Sequence, residues 1–99
     1  MATWKRKSQE RNNQKYFFTG KFYFTKGVFE TVDFDDIASI YNDIRKFAKE
    51  RNGCDYLQVY VNENGQKLFF IDQLDKVMLS SDEYDPQYNY CTLLLAEEY

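Results

Sequence analysis

The chain of 99 residues contains no histidine. That removes the commonest general base near neutral pH and the commonest nitrogen ligand of metals. Carboxylates are then the only set able to handle protons or a cation. Asp72 and Asp75, with Asp82, Glu83 and Asp85 in "SSDEYDP", lie close enough in sequence to converge on magnesium or calcium. Their spacing fits no standard loop for such an ion, and a solvated acidic loop is the commoner use of such residues. Gly20 and Gly27 lack the spacing of a phosphate-cradling loop and the Lys-Ser/Thr that follows one. Cys54 and Cys91 have no partners at metal-ligand spacing. No catalytic, metal or cofactor residue is expected, and the chain reads as a non-enzyme.

Two sets of residues remain that could bind something. In "WKRKSQERNNQK", Lys5, Arg6, Lys7 and Arg11 could hold phosphates while Trp4 stacks on a base, the usual combination for single-stranded nucleic acid. Tyr56, Tyr60 and Phe69, with Tyr23 as an outlying member, could form an aromatic patch of the kind enriched in protein interfaces. The charge pattern separates the two sets. Through Lys26 the only acid is Glu10, whereas acids dominate from Gly27 onward, within a net charge of −3. Such an asymmetry fits a basic arm on an acidic body, and also fits plain surface solvation.

The elements that would position these residues follow from periodicity. Residues 1–15 are polar and basic and read as a tail or short helix, followed by one domain over 16–99. "YFFTGKFYFTKGV" suits a strand at about Lys21 to Thr25 with bends at Gly20 and Gly27. In "VDFDDIASIYNDIRKFAKERNG", Phe34, Ile37, Ile40, Tyr41, Ile44, Phe47 and Ala48 recur at three- and four-residue steps and predict a helix. Asp33 is its expected N-cap and Asn52-Gly53 its stop.

"DYLQVYV" and "QKLFFID" flank Asn64-Gly65, a strong signal for a two-residue type I′ hairpin turn. That turn would set Val61 opposite Leu68, Val59 opposite Phe70 and Leu57 opposite Asp72. The aliphatics would then face the helix, leaving Tyr56, Gln58, Tyr60, Phe69 and Ile71 on the other side. A strand from about Tyr90 to Ala96 would lengthen the sheet and close an edge, with a helix starting at Asp85-Pro86 as its rival.

The whole predicts a single α+β domain, one main helix packed on a mostly antiparallel sheet of about four strands. The aromatic content of 19% argues against disorder. No apolar stretch follows the early positive charges and no run of about 20 apolar residues is present, so the expectation is a cytoplasmic protein with reduced thiols.

"GKFYFTKGV", "LFFIDQLD" and "DPQYNYCTLLLAEEY" together resemble, in order and spacing, an uncharacterised family carried largely on plasmids and in proteobacterial genomes, domain of unknown function three-seven-six-eight. The resemblance covers about Gly20 to Tyr99. It rests on Thr25, Gly27 and Val28, on Ile71, Asp72 and Asp75, and on Asp85, Pro86, Thr92, Leu95, Ala96, Glu98 and Tyr99. Where that family carries a Glu-His-Asp-Phe-Gly block, this chain has "NGCDYLQ", keeping Asp55 and lacking the histidine; Phe70 stands where a lysine is usual. A second uncharacterised family, of Gram-positive bacteria and their phages, has a similar "TKGV", helix and "DYLQV".

The resemblance implies an accessory protein of a mobile element. The resulting expectation is a small non-enzymatic phage or plasmid protein that binds another protein, or itself as a homodimer, with a host-defence component as one candidate target. Nucleic-acid binding through the basic segment is the alternative.

Overall fold

The computed structural model describes residues 3–9, 16–73 and 89–99. In chain order these hold β1 (Lys5–Arg6), β2 (Lys21–Phe24), α1 (Lys26–Thr31), α2 (Phe34–Glu50), β3 (Leu57–Val61), β4 (Lys67–Asp72) and β5 (Tyr90–Leu95), with a 3-10 turn at Ala96–Glu98. Helix α2 arises where the sequence pattern places it. Asp33 takes the extended N-cap conformation without a side-chain capping bond, Asp35 and Asp36 sit in the first turn, and Lys49 sits in the last. The helix stops because Asn52 adopts a left-handed φ of 57°. The N–H groups of Asn52 and Gly53 then reach back to the carbonyls of Lys49 and Ala48, at 3.3 and 2.7 Å. Ile37, Ile40, Ile44 and Ala48 are buried, each isoleucine worth roughly 1.5–3 kcal/mol of removed apolar surface. Phe34, expected in the same stripe, is instead 69% exposed.

The sheet has five strands in the order β1-β3-β4-β5-β2. β2 runs parallel to β5 and every other pair is antiparallel. This is the expected α+β class, one main helix on a mostly antiparallel sheet, with one strand more than anticipated. The extra strand is β1, drawn from the basic segment that reads in sequence as a tail or short helix. The terminal segment is the strand of the two alternatives, but β5 lies inside the sheet between β4 and β2 and does not close an edge.

Where a bend was expected at Gly27, Thr25 caps the short helix α1 by accepting the Val28 N–H at 3.2 Å. The Thr25 hydroxyl donates in turn to Glu98 at 2.7 Å. The same carboxylate oxygen accepts the Leu95 N–H at 2.8 Å.

The hairpin corrects the sequence reading. Val61 lies opposite Lys67, Tyr60 opposite Leu68, Val59 opposite Phe69, Gln58 opposite Phe70 and Leu57 opposite Ile71, one residue off the expected pairing. The cause is Asn62, whose side-chain oxygen accepts the N–H groups of Asn64 and Gln66, each at 3.0 Å. This local capture starts the turn one residue early. The Gly65 N–H bonds to the Asn62 carbonyl at 3.1 Å, and Gly65 alone takes the left-handed conformation, at φ 81°. The result is a three-residue loop with a glycine bulge in place of a type I′ turn.

A slip of one residue exchanges the faces of β3. Tyr60 and Gln58 therefore point at the helix with Leu68, Phe70, Cys91 and Leu93, and all six are buried. Aromatic contacts join the layers. Phe22 stacks on Tyr41 at 4.5 Å between centroids, and Phe70 meets Phe18 edge-on at 5.0 Å. Phe18, buried in a left-handed conformation at φ 54°, donates its N–H to the buried carboxylate of Asp72 at 3.1 Å.

Candidate protein interface

With Tyr60 turned inward, the sheet face away from α2 is built from different residues than the sequence suggested. Cross-strand partners share a face, so the register defines its rows. One row is Lys5, Val61 and Lys67; the next is Val59, Phe69 and Leu94; the third is Leu57, Ile71, Thr92 and Tyr23. Leu57, Val59, Val61, Phe69, Ile71 and Leu94 are all only half-buried. Tyr99 packs edge-on against Phe69, with ring centroids 5.1 Å apart.

Lysines edge this apolar surface. Lys5, Lys7, Lys21 and Lys67 are exposed, and the Lys7 N–H donates to the Val59 carbonyl at 2.8 Å, continuing β1 along the second row. Two grooves flank the Lys67 side chain. One of about 560 Å³ includes Lys5, Lys7 and Val61, and one of about 250 Å³ includes Lys7, Leu57, Val59 and Phe69. The arrangement is an apolar strip about three rows wide with ammonium groups along its margin, suited to a partner that offers apolar side chains flanked by carboxylates.

The residues expected to bind a partner do not come together. Tyr60 is 2% exposed and donates its hydroxyl to Asp43 at 2.8 Å; burial and that hydrogen bond hold its ionisation well above the ordinary tyrosine range. Tyr56 is half-buried beside Tyr16, at 6.0 Å between ring centroids. Only Phe69, with Tyr23 as the outlying member, lies on the open face. The residues missed are Leu57, Val59 and Val61 of β3 and Leu94 of β5, whereas Ile71 lies on the side expected for it. The signal for the three β3 residues is Asn62, a turn-initiating residue two positions before Asn64-Gly65.

The candidate nucleic-acid set is also divided. Trp4 packs against the core. Arg6 pairs with Asp43 at 2.5 Å and lies 3.7 Å over the ring of Phe47. Both hold β1 to the helix layer, while Lys5 and Lys7 face solvent. Arg11 falls outside the described residues. Of the acidic candidates, Asp72 faces the core, and Asp75, Asp82, Glu83 and Asp85 fall outside the described residues.

Both cysteines are free and fully buried. Burial, reinforced by the nearby Asp72 carboxylate, pushes the thiols of Cys54 and Cys91 up to about 12, so neither is an activated nucleophile. Among the described residues no cluster of three or more His, Cys, Asp or Glu side chains could hold a metal, and no helix is long and apolar enough to cross a membrane.

No family model, curated protein or solved structure matches this chain. The geometry of the open face is therefore the ground for a functional reading.

Proposed function

We propose that this chain is a non-enzymatic protein-binding module whose binding surface is the open face of the sheet. The observation that carries this reading is the pairing of Val59, Phe69 and Leu94 in one half-exposed row, next to a second row of Leu57 and Ile71. A contiguous apolar patch on a small protein ordinarily marks an interaction site. The lysine margin selects an acidic partner, and the steering it provides speeds encounter more than it adds affinity. A small accessory protein of a mobile element, acting in the cytoplasm on a host protein, is the biological setting this fits, and buried free thiols suit a reducing compartment.

Panning a random peptide display library on the purified protein tests the reading. Enrichment is expected for peptides combining Leu, Ile or Phe with Asp and Glu. Their binding should fall at least tenfold with Val59→Asp or with Lys67→Glu, each first shown to keep the parent circular dichroism spectrum. No enrichment, or peptide binding that survives both substitutions, would refute it. If single-stranded DNA or RNA bound instead, in a strongly salt-dependent way and through the same lysines, the margin would belong to phosphates.

A further inference from the structure

The outer edge of β2 borders the open face at Tyr23 but presents a different feature, its backbone. β2 pairs only with β5 among the described residues. The bonds from the Lys21 N–H to Asn89 and from the Thr25 N–H to Leu93, at 3.0 and 3.1 Å, fix the phase of that parallel ladder. Lys21, Tyr23 and Thr25 turn their backbone groups inward, so Phe22 and Phe24 turn theirs outward. An edge with free N–H and C=O groups is a template for another strand. Exposed aromatics flank it. Tyr23 is 50% exposed on the open face, and Phe29, stacked on Phe24 with centroids 6.3 Å apart, is 67% exposed on the helix side. Phe34, 69% exposed, lies two helical turns before Tyr41, the residue that stacks on Phe22, and so falls on the same side of α2.

We infer that this edge pairs with its own copy, β2 against β2 in antiparallel fashion about a two-fold axis through Tyr23. The outward residues bracket Tyr23 symmetrically, so Phe22 of one copy meets Phe24 of the other and all their outward donors and acceptors are satisfied at once. The same register sets Lys21 opposite Thr25, which avoids like charges across the axis. Helix α1 packs against the inner strand β5, with its Phe29 lying on Phe24. An aromatic side chain carries roughly 150–250 Å², so Tyr23, Phe29 and Phe34 leave on the order of 100 Å² each uncovered. Doubling across the axis gives roughly 600 Å², about half of what a small specific interface buries, so the backbone ladder and flanking residues must supply the rest and the association is weak. A reversible dimer with a continuous ten-stranded sheet results.

The test exploits the axis. Wild-type protein should sediment in a concentration-dependent monomer–dimer equilibrium. Tyr23→Lys and Tyr23→Glu should each weaken self-association about tenfold or more, because like charges then face each other, and mixing the two variants should restore it. Independently, Tyr23→Cys should form a disulfide-linked dimer on mild oxidation, since Cα atoms of a non-hydrogen-bonded antiparallel pair lie about 4.5 Å apart, within disulfide reach. The buried Cys54 and Cys91 should take no part. A wild-type protein that stays monomeric, a variant mixture that associates no better than its components, or Tyr23→Cys linking no faster than Asn42→Cys on the exposed side of α2 would each overturn the inference. Tyr23 borders the open face, but that reading is tested at Val59 and Lys67, which lie in other rows on other strands, so failure of one test leaves the other standing.

Discussion

Asn62 decides more of this molecule than any residue of obvious chemistry. By capturing the N–H groups of Asn64 and Gln66 it moves the turn, and with it every side chain of β3 to the opposite face. The alternation in "LQVYV" was legible, and so was the hairpin. Which half of the alternation points inward was not, because Leu57, Val59 and Val61 are by composition the better core. Tyr60 wins the inward position because its ring fills the layer while its hydroxyl reaches Asp43, satisfying a buried donor. Mutation separates the two registers. Tyr60→Ala should cost about 3–5 kcal/mol, as for other large aromatic truncations, whereas Val59→Ala on the half-exposed face should cost roughly 1 kcal/mol or less. Urea denaturation measures both. Equal losses would mean that the open face is packed as tightly as the core.

At the scale of elements, the helix was read well because its signals are local. Period, first-turn acids and the Asn52-Gly53 stop all lie within the segment they define. The position of β5 was not readable, since nothing within "YCTLLL" specifies insertion between β4 and β2. That placement depends on how closely β2 can approach. Gly20 stands where an added Cβ would come within 2.2 Å of the Asn89 backbone oxygen, at the point where Lys21 begins its bonds to β5. Gly20→Ala must therefore push the two strands apart at their start. A loss of about 1–3 kcal/mol is expected, as for other overpacking substitutions, with faster amide exchange at Lys21 and Tyr23 than at β4 positions. Exchange unchanged along β2 would show that the strand relaxes without parting from β5.

At the scale of the whole molecule, the question is whether the basic start is a detachable arm. Composition suggests that it is, because Lys5, Arg6 and Lys7 resemble any solvated tail. The fold uses the segment otherwise. Arg6 bridges to Asp43 and covers Phe47, Trp4 packs on the core, and the Thr3 N–H donates to Glu63 at 2.9 Å. Gln9 accepts from the Asp55 N–H at 2.9 Å and from the Gln58 amide at 3.1 Å. Removing residues 1–9 would leave those buried donors short of an acceptor, at about 1–3 kcal/mol each in the worst case, and would bare the edge of β3. The shortened protein should lose roughly 2–4 kcal/mol and should aggregate more readily, because a long exposed strand replaces a short lysine-bearing one. Any binding lost on that deletion would then be ambiguous between a missing contact and a weakened fold. The pair Lys5→Glu and Lys7→Glu avoids the ambiguity, since both side chains face solvent. Parent stability in that double variant, together with a clear loss in the deletion, would establish that the segment is part of the domain and that only its lysines are available to a partner. A deletion that melts at the parent temperature would return it to the status of a tail.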